Sequence, residues 1–320
     1  RYFNKQVAQP RLALKVGGFS DALTIDASAN VTITGDIRKS TSGTSNFAAG
    51  VNAGNSIASG GNYNTVVGDE AGTALTTGDS NVAIGFEALA TEDANGLNVA
   101  VGYRALKTLN ASGAAYNTAV GYDAGTAITT GTLNTLIGGL SGDALTTGDN
   151  NVAVGYLALS SDTQGDRNIA IGRSALAVQN FTSSTDAYNI AIGYNAGAAV
   201  TTGQFNTFVG GLSGDATTTA SGNSALGYLS LTANTTGEFN TAIGREALEA
   251  NTTADSNTAV GFRALTANTT GADNNAFGFG ALDANTTAGD NNAFGTAALG
   301  ANTTGAGNTS ILRIVSTDTD

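Results

Sequence analysis

One asparagine recurs along this chain at the head of an Asn-x-Ala-x-Gly motif, at Asn46, Asn64, Asn81, Asn98, Asn117, Asn134, Asn151, Asn168, Asn189, Asn206, Asn223, Asn240, Asn257, Asn274, Asn291 and Asn308. A carboxamide both donates and accepts hydrogen bonds. A column of such groups could therefore hold an array of ligands, or could bond each repeat to the next as stacked amides do in cross-β arrays. Nothing beside the Asn converges to support a ligand, so the residues from Asn64 to Asn257 are read as a structural ladder. Other patterns carry less chemistry. Gly138-Gly139-Leu140-Ser141-Gly142 has the glycines of a phosphate loop, but no helix is expected after it and no Gly-Lys-Ser/Thr occurs. Gly78-Asp79, Gly148-Asp149 and Gly289-Asp290 could serve calcium, yet the Gly-Gly-x-Gly-x-Asp pattern is missing and turn formation explains them. Glu87, Glu92 and Asp93 are neighbours in sequence, which is weak support for the facing carboxylates that glycoside cleavage needs. Thr76-Thr77, Thr129-Thr130, Thr146-Thr147 and Thr201-Thr202 would suit an ice-binding rank only if both hydroxyls faced one way, and adjacent residues of an extended strand do not. Asn-Thr-Thr matches the N-glycosylation acceptor, as it often will in a chain so rich in Asn and Thr.

Cysteine, histidine, methionine and tryptophan are all absent. That removes disulfides, thiolate and imidazole metal sites and every catalytic arrangement built on histidine. The expectation is no catalytic residue, no metal and no cofactor, with stability that is wholly noncovalent. With no Met, Arg1 is expected to lie within a longer or processed product. No apolar run approaches the roughly 18 residues of a membrane span, and no signal peptide is visible. Net charge is −12, but residues 1–39 hold six Lys/Arg against three Asp/Glu while the remainder holds seven against twenty-two. An acidic body repels phosphate and anionic lipid, so neither nucleic acid nor membrane insertion is expected.

The Asn motif recurs every seventeen residues, departing to eighteen after Asn46, nineteen after Asn98 and twenty-one after Asn168. Stacked coils that tolerate insertions in a loop behave this way. Three residues after the Asn stands a large apolar residue in nearly every unit, as in Val67, Ile84, Val120, Ile192 and Phe277, alternating with small residues. Alternation with β-branched residues predicts a strand, ended by the following Gly. A short Ala-Leu or Ala-Gly segment, as at Ala88-Leu89, predicts a second short strand, and Asn-Thr-Thr-Gly or its equivalent predicts a turn. With three large apolar side chains per unit, worth about 1.5–3 kcal/mol each, against about 1–2 kcal/mol per residue for ordering the backbone, one coil alone cannot fold. Stacking must cover both faces of every interior coil, and a core this thin implies further burial between chains.

A longer order overlies the period. Eight residues after the Asn stands Gly in the coils at 46, 64, 117, 134, 189 and 206, and Leu in those at 81, 98, 151, 168, 223 and 240. Where the second Gly coil of each set comes, the usual Ala two after the Asn becomes Val66, Leu136 or Phe208. This exchange of volume predicts that Leu136 and Phe208 point into the core. Residues 1–45 break the period and read as a β cap or connector, with a hairpin from Ala22–Ile25 and Asn30–Gly35. Residues 46–312 are the solenoid body, and 313–320 a polar tail. Ile311, Leu312, Ile314 and Val315 are expected to close the last coil. The insertions at 107–116 and 177–188 carry Leu109, Tyr116, Phe181 and Tyr188, the candidate contact residues on the principle that loops on a rigid scaffold bind.

Asn117-Thr-Ala-Val-Gly-Tyr and its copies resemble the head repeat of trimeric autotransporter adhesins, a parallel β-roll built on Asn-x-x-Ile-Gly. They are more similar still to the shaft repeats of phage tail fibres and bacterial tail fibre domain proteins, as over residues 257–271. The resemblance covers about 46–312. It implies a parallel β-solenoid of about sixteen coils that assembles as a homotrimeric fibre, on a virion tail or outside the cell. Its partners would be itself, other fibre or tail proteins, and a host surface glycan or protein. A bacterial surface adhesin or extracellular filament subunit is the alternative, and a polysaccharide-depolymerising tailspike a third reading.

Overall fold

The structure, a computed structural model, describes residues 41–312 together with three short strands, Leu12–Leu14, Leu23–Ile25 and Val31–Ile33. Those three pair antiparallel in sequence order, so the expected hairpin is present with a further strand before it. Ile314 and Val315 lie outside the described residues. From Phe47–Ala49 to Thr309–Ile311, one three-residue strand per coil joins a single parallel sheet of sixteen strands, each paired with the coil before and after it. The register never slips: Val152 faces Thr135 on one side and Ile169 on the other, one period away in each direction. At the usual strand spacing of about 4.8 Å the stack is roughly 70 Å long.

The Ala-Leu segment of the body coils is a turn and not a strand; the second strands that do occur are the two-residue pair Gly165–Asp166 and Thr185–Asp186. The residues six and eight after each Asn from Asn46 to Asn291 are left-handed, as at Glu87 (φ 52°) and Leu89 (φ 51°), and the residue before the Asn is too, as at Leu97 (φ 68°). Such corners cost about 1–2 kcal/mol each outside glycine, and the stack holds them by turning their N–H groups along the axis. Glu87 N–H donates to Asp69 O one coil back at 3.0 Å, and Leu89 N–H donates to Ala105 O one coil ahead at 3.0 Å. Alternating left-handed corners deny that segment the extended geometry of a ladder, yet its donors are still paired between coils. The strand-ending Gly is more extreme still, with φ from +125° at Gly68 to +148° at Gly121.

The core is narrow, and small residues fill it. Within each strand the middle residue points in and its neighbours out, so Ala83, Ala100, Ala119 and Ala153 are fully buried. The large residue three after the Asn lies on the outer face: Ile84 is 37% exposed and Ile137 39%. Large side chains enter the core from the corner. Leu89, Leu106, Leu159 and Leu176 are fully buried, and where Gly replaces that Leu the space is taken by Ile57, Leu75, Ile128, Leu145 or Val200 three residues on. Leu136 and Phe208 also point inward with no exposed surface. Each lies between two of those glycines, since a Cβ on Gly125 or Gly142 would fall 2.7 or 2.8 Å from a Leu136 methyl. At the far end Ile311 is 73% exposed and Leu312 51%, so neither closes the last coil over its interior.

Candidate functional site

The asparagine column runs unbroken through the stack. Each Asn N–H from Asn64 to Asn308 donates to Oδ1 of the Asn one coil earlier, at 2.8–3.3 Å. In most coils Nδ2 donates to the carbonyl fourteen residues on, as Asn134 does to Gly148 O and Asn151 to Gly165 O, both at 2.8 Å. One side chain thus ties its coil to the next and also closes its own turn. Asn46 through Asn291 are buried, so each amide saturates itself within the protein and presents nothing to a ligand. Asn151→Ala would leave the Asn168 N–H and the Gly165 carbonyl without these partners. At about 1–3 kcal/mol for an orphaned buried group, the expected loss is about 2–3 kcal/mol in denaturant unfolding, with faster hydrogen exchange at the Asn168 amide.

A second amide column was not recognised in the sequence. Asn251, Asn268, Asn285 and Asn302 each donate from Nδ2 to Oδ1 of the corresponding Asn one coil earlier, beginning at Asn234, at 2.9–3.4 Å, and cap the turn carbonyl three residues on. Its signal was the recurrence of Asn-Thr-Thr at the same period as the first column. Asn234, Asn251, Asn268 and Asn285 are fully buried, which withdraws them from glycosylation in the folded chain. In the Thr pairs the first hydroxyl bonds onward, Thr146 Oγ1 to Thr163 O at 3.0 Å, while Thr147 is exposed. The hydroxyls therefore diverge as expected, within a turn and not a strand. Two of the Gly-Asp aspartates work as acceptors between turns of successive coils: Asp79 Oδ1 accepts from Asn62 N–H at 2.6 Å, and Asp149 Oδ1 from Thr132 N–H at 2.6 Å.

The three neighbouring acids do not converge on a groove. Glu87 pairs with Lys107 at 2.6 Å, whereas Glu92 is fully buried in the core column. Burial pushes the Glu92 carboxyl up from its ordinary pKa, against the pull of hydrogen bonds from Asn95. Among the described residues no group of three or more His, Cys, Asp or Glu is placed to hold a metal ion. In the equivalent coil of the next set of four Asp162 takes the same buried position and is satisfied by Gly165 N–H at 3.1 Å, Phe181 N–H at 3.0 Å and Gln179 Nε2 at 2.7 Å.

The structure divides the four loop candidates. Leu109 is fully buried and Phe181 nearly so, Leu109 because it occupies the core position that Leu75 and Ile128 fill in other coils. Neither can meet a partner. Tyr116 and Tyr188 are 55% and 46% exposed, but they stand immediately before Asn117 and Asn189, in the column that precedes every strand, and not at loop tips. In the second insertion Thr185–Asp186 pairs in parallel with Gly165–Asp166, which holds the longer loop against the coil before it.

On the outward face of the sheet the residue three after the Asn is apolar in all sixteen coils, while the residue one after it is Phe, Val or Ile in six coils and Thr, Ser or Asn in the other ten. One and three residues after the Asn stand pairs such as Val82 and Ile84, Val152 and Val154, Ile169 and Ile171, and none of these positions in the sixteen coils carries a charge. Two aromatic-rich columns flank them. Tyr63, Tyr116, Phe205 and Phe239 precede the strand, while Phe86, Tyr122, Tyr194 and Phe279 follow it. Phe86, Tyr103 and Tyr122 stack in series at centroid distances of 5.4 and 5.2 Å, and Arg173 and Arg245 each lie 5.6 Å from the ring of the next coil.

No family model matches the chain, and neither the search of curated proteins nor that of solved structures returned a match. Among the described residues no helix is long and apolar enough to cross a membrane.

Proposed function

We propose that this chain is a structural fibre protein, a homotrimeric shaft or receptor-binding appendage of a phage tail. The observation that carries the reading is the continuous sixteen-stranded sheet with its buried amide ladder. Every side chain of that ladder is spent on joining one coil to the next, and the result is a rod. A rod of this kind suits holding a binding tip away from a particle. Its own partners would be further tail or fibre proteins at the ends and a host surface glycan or protein along or beyond it. The tail assignment rests on the resemblance of the repeat to tail fibre shafts, and the trimer on the same resemblance together with the apolar column on the outer face three residues after the Asn.

Antibodies raised against the repeat body test the placement. Gold label on virion tails supports the proposal, and label confined to a bacterial surface favours the adhesin or filament reading. Incubation of the purified chain with host polysaccharide addresses the remaining reading, because release of oligosaccharides would establish a depolymerase and overturn a purely structural role.

A further inference from the structure

We infer that the corner around Arg173 binds an acidic sugar, a pyranose carrying a carboxylate within a longer glycan. The inference rests on the reading of this chain as an appendage that meets a host surface, and it adds the place and the chemistry of the contact.

Charge singles out this corner. Among the described residues of the body, every other Lys or Arg is paired with a carboxylate: Arg104 with Asp123, Lys107 with Glu87, Arg167 with Asp186, and Arg245 and Arg263 with Glu246. Arg173 is exposed and has no such partner among the described residues. Its guanidinium lies 5.6 Å from the centre of the Tyr194 ring in the next coil, with Nη1 3.4 Å from the Tyr194 hydroxyl.

The neighbouring sets of four coils show what has been exchanged. Arg245 holds the same place one set later, and there the following residue, Glu246, neutralises it at 2.7 Å. After Arg173 the following residue is Ser174. One set earlier Arg104 is neutralised at 2.8 Å by Asp123 of the next coil, and the residue equivalent to Asp123 beside Arg173 is Asn195. Both acids are thus replaced by neutral hydrogen-bonding groups. Across the six coils from Asn134 to Asn223, the columns one before and one, three, five and six after the Asn hold no Asp or Glu, in a body that has twenty-two of them. An anion at Arg173 therefore meets a cation, a hydroxyl and an amide, with no acid in these columns to oppose it. The planar guanidinium fork suits a carboxylate, which it can hold by two parallel hydrogen bonds.

The surroundings name the rest of the ligand. Tyr156 and Tyr194, one coil to either side of Arg173 in the same column, are 50% and 51% exposed, and each joins an apolar ring to a hydroxyl. A pyranose offers the matching combination of C–H groups and hydroxyls. Beyond each tyrosine the column carries no side chain, at Gly139 and Gly211, so the side of the ring toward each glycine is left uncovered by the column. Those glycines stand about 19 Å apart, four strand spacings, the length of a short oligosaccharide laid along the rod. A polymer charged at every unit, nucleic acid included, is opposed by the field of the acidic body. Carboxylates spaced by neutral sugars meet the local cation with less of that repulsion.

The probes are a hexasaccharide of alternating glucuronate and N-acetylglucosamine, the same compound with its carboxyls reduced to alcohols, and a DNA dodecamer, each titrated into the full chain by calorimetry. The acidic hexasaccharide is expected to bind, and either carboxyl reduction or Arg173→Gln should weaken it roughly tenfold or more, the effect of losing one charge-assisted pair. Ser174→Glu, which restores the pairing seen at Arg245, should abolish binding, while Arg245→Gln should leave it unchanged. All three positions lie on the surface, and unaltered circular dichroism verifies that each variant is folded. No binding of the acidic hexasaccharide, equal binding of its reduced form, or indifference to Arg173→Gln would overturn the site. DNA binding that Arg173→Gln removes would assign the cation to phosphate and overturn the sugar. The fibre reading fails separately: gold label absent from tails removes it and leaves these titrations standing, whereas labelled tails with no glycan binding remove only the site.

Discussion

Gly155→Ala is expected to break the solenoid at its middle. Gly155 has φ +138°, which L side chains rarely adopt, and a Cβ there would lie 2.5 Å from the carbonyl oxygen and 2.7 Å from the carbonyl carbon of Gly172 in the next coil. That backbone cannot retreat, because Gly172 N–H donates to Val154 O at 2.8 Å and Gly155 N–H to Ile137 O at 2.8 Å. Backbone strain of about 1–3 kcal/mol adds to a steric overlap whose relief opens the ladder, for a total loss of roughly 3–5 kcal/mol. In a stack with nearest-neighbour coupling the damage is local, so limited proteolysis should nick the variant near this coil and spare distant ones. Gly139→Ala is the control. Its Cβ would meet nothing closer than Tyr156 Cδ2 at 3.5 Å, and φ there is not in the left-handed region, so its stability should match wild type.

Phe208 and Gly214 should behave as one unit when mutated. Phe208→Ala removes the largest fully buried side chain and should cost about 3–5 kcal/mol. Gly214→Leu alone should also be severe, because a Cβ at that position would already sit 2.5 Å from Phe208 Cδ1 and 2.7 Å from Cζ. Together the two changes recreate the combination found a coil later, where Ala225 lies beneath Leu231 and both are buried. Leucine accepts the backbone there: φ is 58° at Gly214 and 55° at Leu231. The double variant should therefore recover more than half of the stability lost in either single one, read as a double-mutant cycle in denaturant. Losses that simply add would contradict the exchange of volume between these positions.

The period was legible because every coil repeats it, and the strands because Val and Ile alternate with small residues. Leu136 and Phe208 could be placed inside because their size covaries with Gly at neighbouring corners. Alternation alone, however, separates two faces without saying which is interior. The inward residue is small, as at Ala119, where corner leucines such as Leu89 and Leu106 already fill the interior, and Leu136 and Phe208 enter where Gly stands at the corner, so the large residue three after the Asn is left outside. The second strand failed for a conformational reason: left-handed corners at Glu87 and Leu89 are imposed by the neighbouring coils, and neither residue type announces them. Leu109 looked like a loop residue because its insertion follows it closely, although it occupies a core position shared with Leu75 and Leu145. The second amide column went unseen because its Asn sits in a turn motif that already has a local explanation.

Excision of residues 117–188, one complete set of four coils with its insertion, tests directly whether neighbouring coils hold one another along a common axis. The cut leaves Tyr116 joined to Asn189, so that Asn189 succeeds Asn98 in the ladder and a Gly coil again follows a Leu coil. The shortened chain is expected to keep its β signal and cooperative unfolding, and small-angle scattering should show a maximum dimension reduced by about 19 Å, four strand spacings. Loss of folded structure, or a maximum dimension unchanged by the cut, would contradict the stack.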